Sequence, residues 1–112
     1  MRGSMNLEIG WSEIALQSLA EVLEYTMFQH GERQAQKMRK LVMDDVQSIS
    51  RFPYIAAVKP YSKRVGVELR GYLVIPRIKI IYTVMENKIV VEYIKNTFMS
   101  ERTMLRRHGV FS

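Results

Sequence analysis

Between residues 72 and 95 the chain reads YLVIPRIKIIYTVMENKIVVEYIK, two long apolar stretches joined at Glu86-Asn87 and interrupted by basic side chains. Side chains alternate across a strand with a period of two, so Ile78, Ile80, Tyr82 and Val84 share one face. Lys79, Ile81, Thr83 and Met85 share the other, and a lysine projects among apolar neighbours. The partner strand of this predicted hairpin returns through Ile89 to Ile94. Upstream, Pro76 interrupts a looser alternation over residues 65–75, which predicts a further strand with Gly66 and Gly71 as bulge sites.

Nearer the N-terminus the period lengthens. Residues 6–10 alternate around Leu7 and Ile9 and predict a short first strand. Trp11 then leads into Ser12, an N-cap residue whose hydroxyl accepts from an orphan amide of the helix it opens. Ala15, Leu19, Val22, Leu23 and Met27 recur at helical spacing, and Gly31 supplies a stop after His30. A second helix starts at Glu32, with Ala35, Met38, Val42, Val46 and Ile49 forming its apolar stripe, and Phe52-Pro53 ends it. Residues 53–63 carry Pro60 and no period, the mark of a connecting loop, with Tyr54 and Tyr61 as anchors onto the sheet. Residues 96–112, with Arg102, Arg106 and Arg107, show weak periodicity and read as a short terminal helix or a mobile arm.

Composition narrows the classes. A chain of 112 residues has room for one domain. With no cysteine, neither a disulfide framework nor a thiolate zinc site is available, and two histidines argue against a metal centre; no cofactor is expected. No apolar run approaches the ~18 residues that span a bilayer, and no secretory signal precedes the domain, so a cytoplasmic protein without a membrane partner is expected. Met1-Arg2-Gly3-Ser4 before Met5 reads as an expression-vector scar, leaving residues 5–112 as a single domain with a short C-terminal tail. The net charge of +6 is unevenly placed. Residues 1–58 hold six Lys/Arg and seven Asp/Glu, net −1, whereas residues 59–112 hold eleven and four, net +7. The excess therefore lies on the predicted sheet and tail, and points to an acidic protein or a nucleic acid as partner.

Trp11-Ser12, Ala15 and Leu19 at the opening of the first helix, followed at the matching place by Lys79-Ile80-Ile81-Tyr82 in a strand before a hairpin, give the chain its family likeness. Over residues 5–107 it resembles the RelE/ParE toxin superfamily, the toxic halves of toxin–antitoxin operons. The resemblance implies an α+β fold: an N-terminal strand, a helical hairpin, then a three-stranded, mostly antiparallel sheet, with the helices on one side and a basic concavity on the other. In RelE-like members that concavity grips messenger RNA on the ribosome and promotes cleavage by 2′-hydroxyl attack. ParE-like members act on DNA gyrase, and both kinds are held inactive by a small antitoxin.

Against that background Arg70, Arg77, Lys79, Lys95, Arg102 and Arg106 are the candidate binding residues. If the protein is RelE-like, Lys79 and Arg77 are also the candidate catalytic cations, because residues two apart on a strand point the same way, here towards one phosphate. An acid and a base are harder to assign. Tyr82 matches a family tyrosine, yet it shares the face of Ile78 and Ile80 and is expected in the core. Tyr93, His108, His30, Glu68 and Glu92 are weaker candidates, since strand carboxylates commonly serve as cross-strand partners. Where many members carry a D-T-R-like segment after the last strand, this chain has Asn96-Thr97-Phe98, and Phe98 binds no phosphate. The expected function is therefore a ParE-like toxin that inhibits a gyrase-type target by binding. The alternative is a RelE-like, ribosome-dependent, metal-independent endoribonuclease; a further alternative is an inactivated member that retains antitoxin binding.

Overall fold

In a computed structural model, which describes residues 5–96, the Ser12 hydroxyl accepts from the Ala15 N–H at 2.9 Å and caps helix α1 (Glu13–His30). Gly31 ends that helix at φ 93°, in a region of the backbone map that side chains disfavour. Helix α2 (Glu32–Arg51) starts at once and stops at Phe52, with Pro53 next, so both helices keep the ends predicted for them. Ala15, Leu19 and Val22 of α1 and Val42, Val46 and Ile49 of α2 are buried against the sheet. Met27 is 49% exposed, so the buried stripe of α1 ends before the helix does.

The sheet consists of β1 (Glu8–Trp11), β2 (Arg70–Ile75), β3 (Ile78–Val84) and β4 (Lys88–Asn96), in the order β1-β4-β3-β2. The last three strands pair antiparallel with one another, β2 with β3 and β3 with β4, as expected. The N-terminal strand joins them as a fourth, parallel to β4. A parallel pair needs a long crossover, and the helical hairpin between β1 and β2 provides it. Ile78, Ile80 and Tyr82 of β3, as the alternation predicts, and Ile89, Val91 and Ile94 of β4 face the helices and form the main core. On the opposite face Leu69, Ile81 and Tyr93 form a smaller cluster, against which Ile14, Tyr61 and Val65 pack.

Because β1 pairs only with Lys88 to Val91, β4 runs on past it with an uncovered edge. Helix α1 takes that edge over. The Ser12 N–H donates to the Val91 carbonyl at 3.0 Å, and the Ser12 hydroxyl donates to the Glu92 carbonyl at 3.0 Å. Six residues on, the Ser18 hydroxyl accepts from the Ile94 N–H at 2.8 Å and donates to the Ala15 carbonyl at 3.0 Å. Ala15 is fully buried at this contact, where a longer side chain would hold the helix away.

The segment before β2 departs from expectation. The strand predicted from residue 65 begins only at Arg70; residues 62–65 instead wind one turn, α3 (Ser62–Val65). Gly66 is no bulge but the left-handed cap of that turn, at φ 78°, and the Ser62 hydroxyl closes it by bonding both the N–H and the carbonyl of Leu69. Gly71 sits in regular register opposite Ile81. The irregularity in β2 falls between Leu73 and Ile75, and the β3–β4 ladder bulges where Glu92 is the extra residue between Val91 and Tyr93.

Replacing Ser18 tests the helix-to-edge bond. Ser18→Ala leaves the Ile94 N–H buried without its acceptor and is expected to cost about 1–3 kcal/mol. In urea titrations the midpoint should fall at constant slope; an unmoved midpoint would mean that the bond does not hold α1 in place.

Candidate functional site

The face of the sheet opposite the main helix-side core is organised in rows by strand register. Leu73, Lys79 and Lys95 stand side by side across β2, β3 and β4, and Gly71, Ile81 and Tyr93 form the next row. Lys95 is 6% exposed, Lys79 is half-buried, and Leu73 is exposed. Ile81 and Tyr93 are buried and make an apolar floor beside the lysines. A third lysine reaches this face from the loop. Lys59 bonds through its backbone N–H to the Leu69 carbonyl, and its Cδ lies 3.0 Å from the point that a Cβ on Gly71 would occupy. A side chain at position 71 would therefore displace Lys59.

Farther along the same face the charge changes sign. The Thr83 hydroxyl donates to the Glu92 carboxylate at 3.0 Å, an arrangement that the bulge at Glu92 makes accessible. The face thus has a lysine end and a carboxylate end, with Ile81 and Tyr93 between them.

The other predicted cations lie elsewhere, and the single basic concavity expected from the sequence does not form among the described residues. Arg70 is the register partner of Tyr82, whose side chain belongs to the helix-side core. Its guanidinium donates to the Ala56 carbonyl at 2.7 Å, lies 5.0 Å from the centroid of the Tyr54 ring and approaches Glu68 at 3.9 Å. Arg70 therefore anchors the loop between α2 and α3. Arg77 was expected to point with Lys79, but the strand starts only at Ile78: Pro76 and Arg77 form the turn, where alternation no longer applies. Arg77 lines a groove at the helix-hairpin end of the molecule together with Tyr25, His30, Lys37, Leu41 and Ile78. Arg102, Arg106 and His108 lie outside the described residues.

The acid–base candidates are equally dispersed. Tyr82 is fully buried and donates its hydroxyl to the Pro53 carbonyl at 2.7 Å, which makes it the pin between β3 and the end of α2. Glu68 is near Arg70 and Glu92 is held by Thr83, while His30 ends α1 across the molecule from the open face. No group of three or more His, Asp or Glu side chains able to hold a metal occurs among the described residues. No helix among them is long and apolar enough to cross a membrane. Lys59 is the site residue that sequence reasoning missed; its place depends on the pairing of residues 57–59 with the start of β2, for which the loop carries no periodic signal.

Comparison with known proteins places this geometry. Residues 9–97 match the family described as the ParE toxin of type II toxin–antitoxin systems, parDE. Among solved structures, a chain of the chromosomal ParDE toxin–antitoxin system from P. aeruginosa is similar in fold, with a TM-score of 0.65 at 17% identity, over 83% of this chain and 98% of that one. No curated protein sequence matches the chain.

The buried tyrosine generates a pH prediction. Burial pushes the Tyr82 phenol above its ordinary value. A group whose folded pKa is raised contributes stability that is complete below its unfolded pKa, about 10 for tyrosine, and is lost as pH climbs through the folded value. Tyr82→Phe should therefore flatten the alkaline fall of stability, leaving the share owed to Tyr72, whose phenol burial also raises. At neutral pH it should cost about 1 kcal/mol, since the Pro53 carbonyl loses its donor. Denaturation curves from pH 7 to 11 measure both; an unchanged alkaline limb would contradict the assignment.

Proposed function

This chain belongs to the ParE toxin family of type II toxin–antitoxin systems, and from that premise we propose that it acts by binding, arresting a gyrase-type DNA-processing target without cutting RNA. The supporting observation is the separation of Arg77 from Lys79. Metal-free RNA cleavage needs a base, an acid and cations gathered around one phosphate. Here Lys79 belongs to the open face, Arg77 to the turn beside the helix-side groove, and the Tyr82 hydroxyl to a loop carbonyl inside the core. A surface of this kind suits recognition better than phosphoryl transfer.

In this reading a cognate antitoxin holds the toxin inactive in the cytoplasm. An acidic, largely unfolded segment gains both apolar area and charge complementarity on a face that offers exposed Leu73 next to lysines. Lys79, Lys95 and Lys59 are the proposed contacts on that face, and Arg77 contributes from the neighbouring groove.

Expression of the toxin alone should stop growth, and co-expression of the protein encoded by the adjoining reading frame should restore it. Purified toxin should inhibit gyrase supercoiling, while primer extension on translated messages should show intact transcripts. Codon-biased cuts would favour the ribosome-dependent nuclease instead, normal supercoiling in excess toxin would remove the gyrase-type target, and harmless expression would identify an inactivated member.

A further inference from the structure

The carboxylate end of the open face is a depression of about 400 Å³, bounded by the loop before β2 and the last residues of β3. Tyr54, Val67 and Met85 line it and are 61%, 52% and 50% exposed, so three apolar side chains meet water together. Exposed apolar groups gathered among polar ones mark an interaction surface. The charge here is the reverse of the chain's. Residues 59–112 contain four carboxylates against eleven Lys/Arg, yet Glu68 and Glu92 line this depression and Glu86 follows Met85 in the turn. The Thr83 hydroxyl orients the Glu92 carboxylate and uses one of its several acceptor positions, while the Glu68 side chain is 78% exposed. Among the described residues Arg70 is the cation of the lining, and its guanidinium is turned to the Ala56 carbonyl, the Tyr54 ring and Glu68. Lys88, at the start of β4, is the register partner of Glu8. Acidic groups therefore exceed basic ones at this end of the sheet.

We propose that this depression is a second docking site, opposite in sign to the lysine end, which takes an arginine or lysine flanked by apolar side chains from the toxin's protein target. The proposal rests on the reading that the protein arrests a target by binding, and it names the chemistry that the target presents. The basic side chain lies between the carboxylates of Glu68 and Glu92, and its apolar neighbours cover Tyr54, Val67 and Met85. Charge complementarity fixes the choice of occupant. An acidic antitoxin segment, drawn to the lysines, is repelled by three glutamates, and a phosphodiester strand with one charge per nucleotide is repelled in the same way. The two ends of one face thus serve two different proteins.

Val67 and Glu68 are exposed and precede β2, so Val67→Ser combined with Glu68→Lys removes one apolar contact and reverses one charge without touching the core. Growth arrest by this variant should require at least about tenfold more toxin, and inhibition of gyrase supercoiling should weaken to the same extent. Calorimetry with the protein encoded by the adjoining reading frame should show affinity within about threefold of the unaltered toxin. Met85→Lys, at the end of β3, carries the same expectations should the double variant fail to fold. Glu24→Lys, an equal charge reversal on the exposed side of α1, should leave arrest unchanged. Full arrest by both folded variants overturns the proposal and leaves the binding reading intact. Loss of affinity for the adjoining protein, with arrest retained, assigns the depression to the antitoxin and also overturns it. So does a dimer of the unaltered toxin in analytical ultracentrifugation that the variants abolish, since the occupant is then a second copy. Normal supercoiling in excess unaltered toxin removes the gyrase-type target alone, and the growth measurement still decides the proposal. Harmless expression of the unaltered toxin overturns the binding reading, and the proposal with it.

Discussion

Two serine hydroxyls, at the cap of α1 and within it, decide how this molecule is put together. β1 is four residues long and leaves the second half of β4 with an open edge. Backbone groups buried there without partners would be costly. Ser12 takes the Glu92 carbonyl and Ser18 takes the Ile94 N–H, so the helix continues the role of the strand it follows. The Trp-Ser-x-x-Ala opening thus has a physical content: the serine caps the helix and joins it to β4, and the alanine lets the two approach. With α1 so placed, α2 closes the same side of the sheet, and the main core forms between them.

Everything on the opposite side is a consequence of that choice. One face of β3 and β4 is committed to the helices, so Lys79 and Lys95 must share the face that the helices leave. The loop after α2 returns along the start of β2 and uses Arg70 and Tyr82 to secure itself, through the carbonyls of Ala56 and Pro53. Positive charge concentrated in the second half of the sequence is therefore divided by the fold among three tasks: anchoring a loop, rimming a groove and occupying an open surface. Only the last two expose it to a partner. This division favours recognition over catalysis, since phosphoryl transfer requires its charges at one point and binding tolerates their spread.

Local signals were read correctly where they were self-contained. The cap at Ser12, the stop at Gly31 and the end at Phe52-Pro53 each depend on the conformational preferences of a few adjacent residues. The alternation through β3 separated Ile78, Ile80 and Tyr82 from Lys79 and Ile81, and even the buried role of Tyr82 followed from it. Residues 65–75 were misread because a one-turn helix capped by glycine and a loose strand with a glycine bulge share one composition. What separates them is the hydroxyl of Ser62 bonding Leu69. The joint aim predicted for Arg77 and Lys79 failed over a single residue, because a turn at Pro76-Arg77 suspends the period of two.

The sequence by itself determined the two helices, the faces of the central strand, the excess of positive charge in its second half and the family likeness. Each is carried by residue order, short-range sterics or composition. Tertiary structure alone decided that β1 would lie parallel to β4, that Glu92 would bulge, that Lys59 would lie over Gly71, and that Lys79 would meet Lys95. Those relations join positions far apart in the chain through strand register and loop return. Register is a property of pairs of segments, set by which backbone groups find partners when the whole sheet closes, and no single segment encodes it.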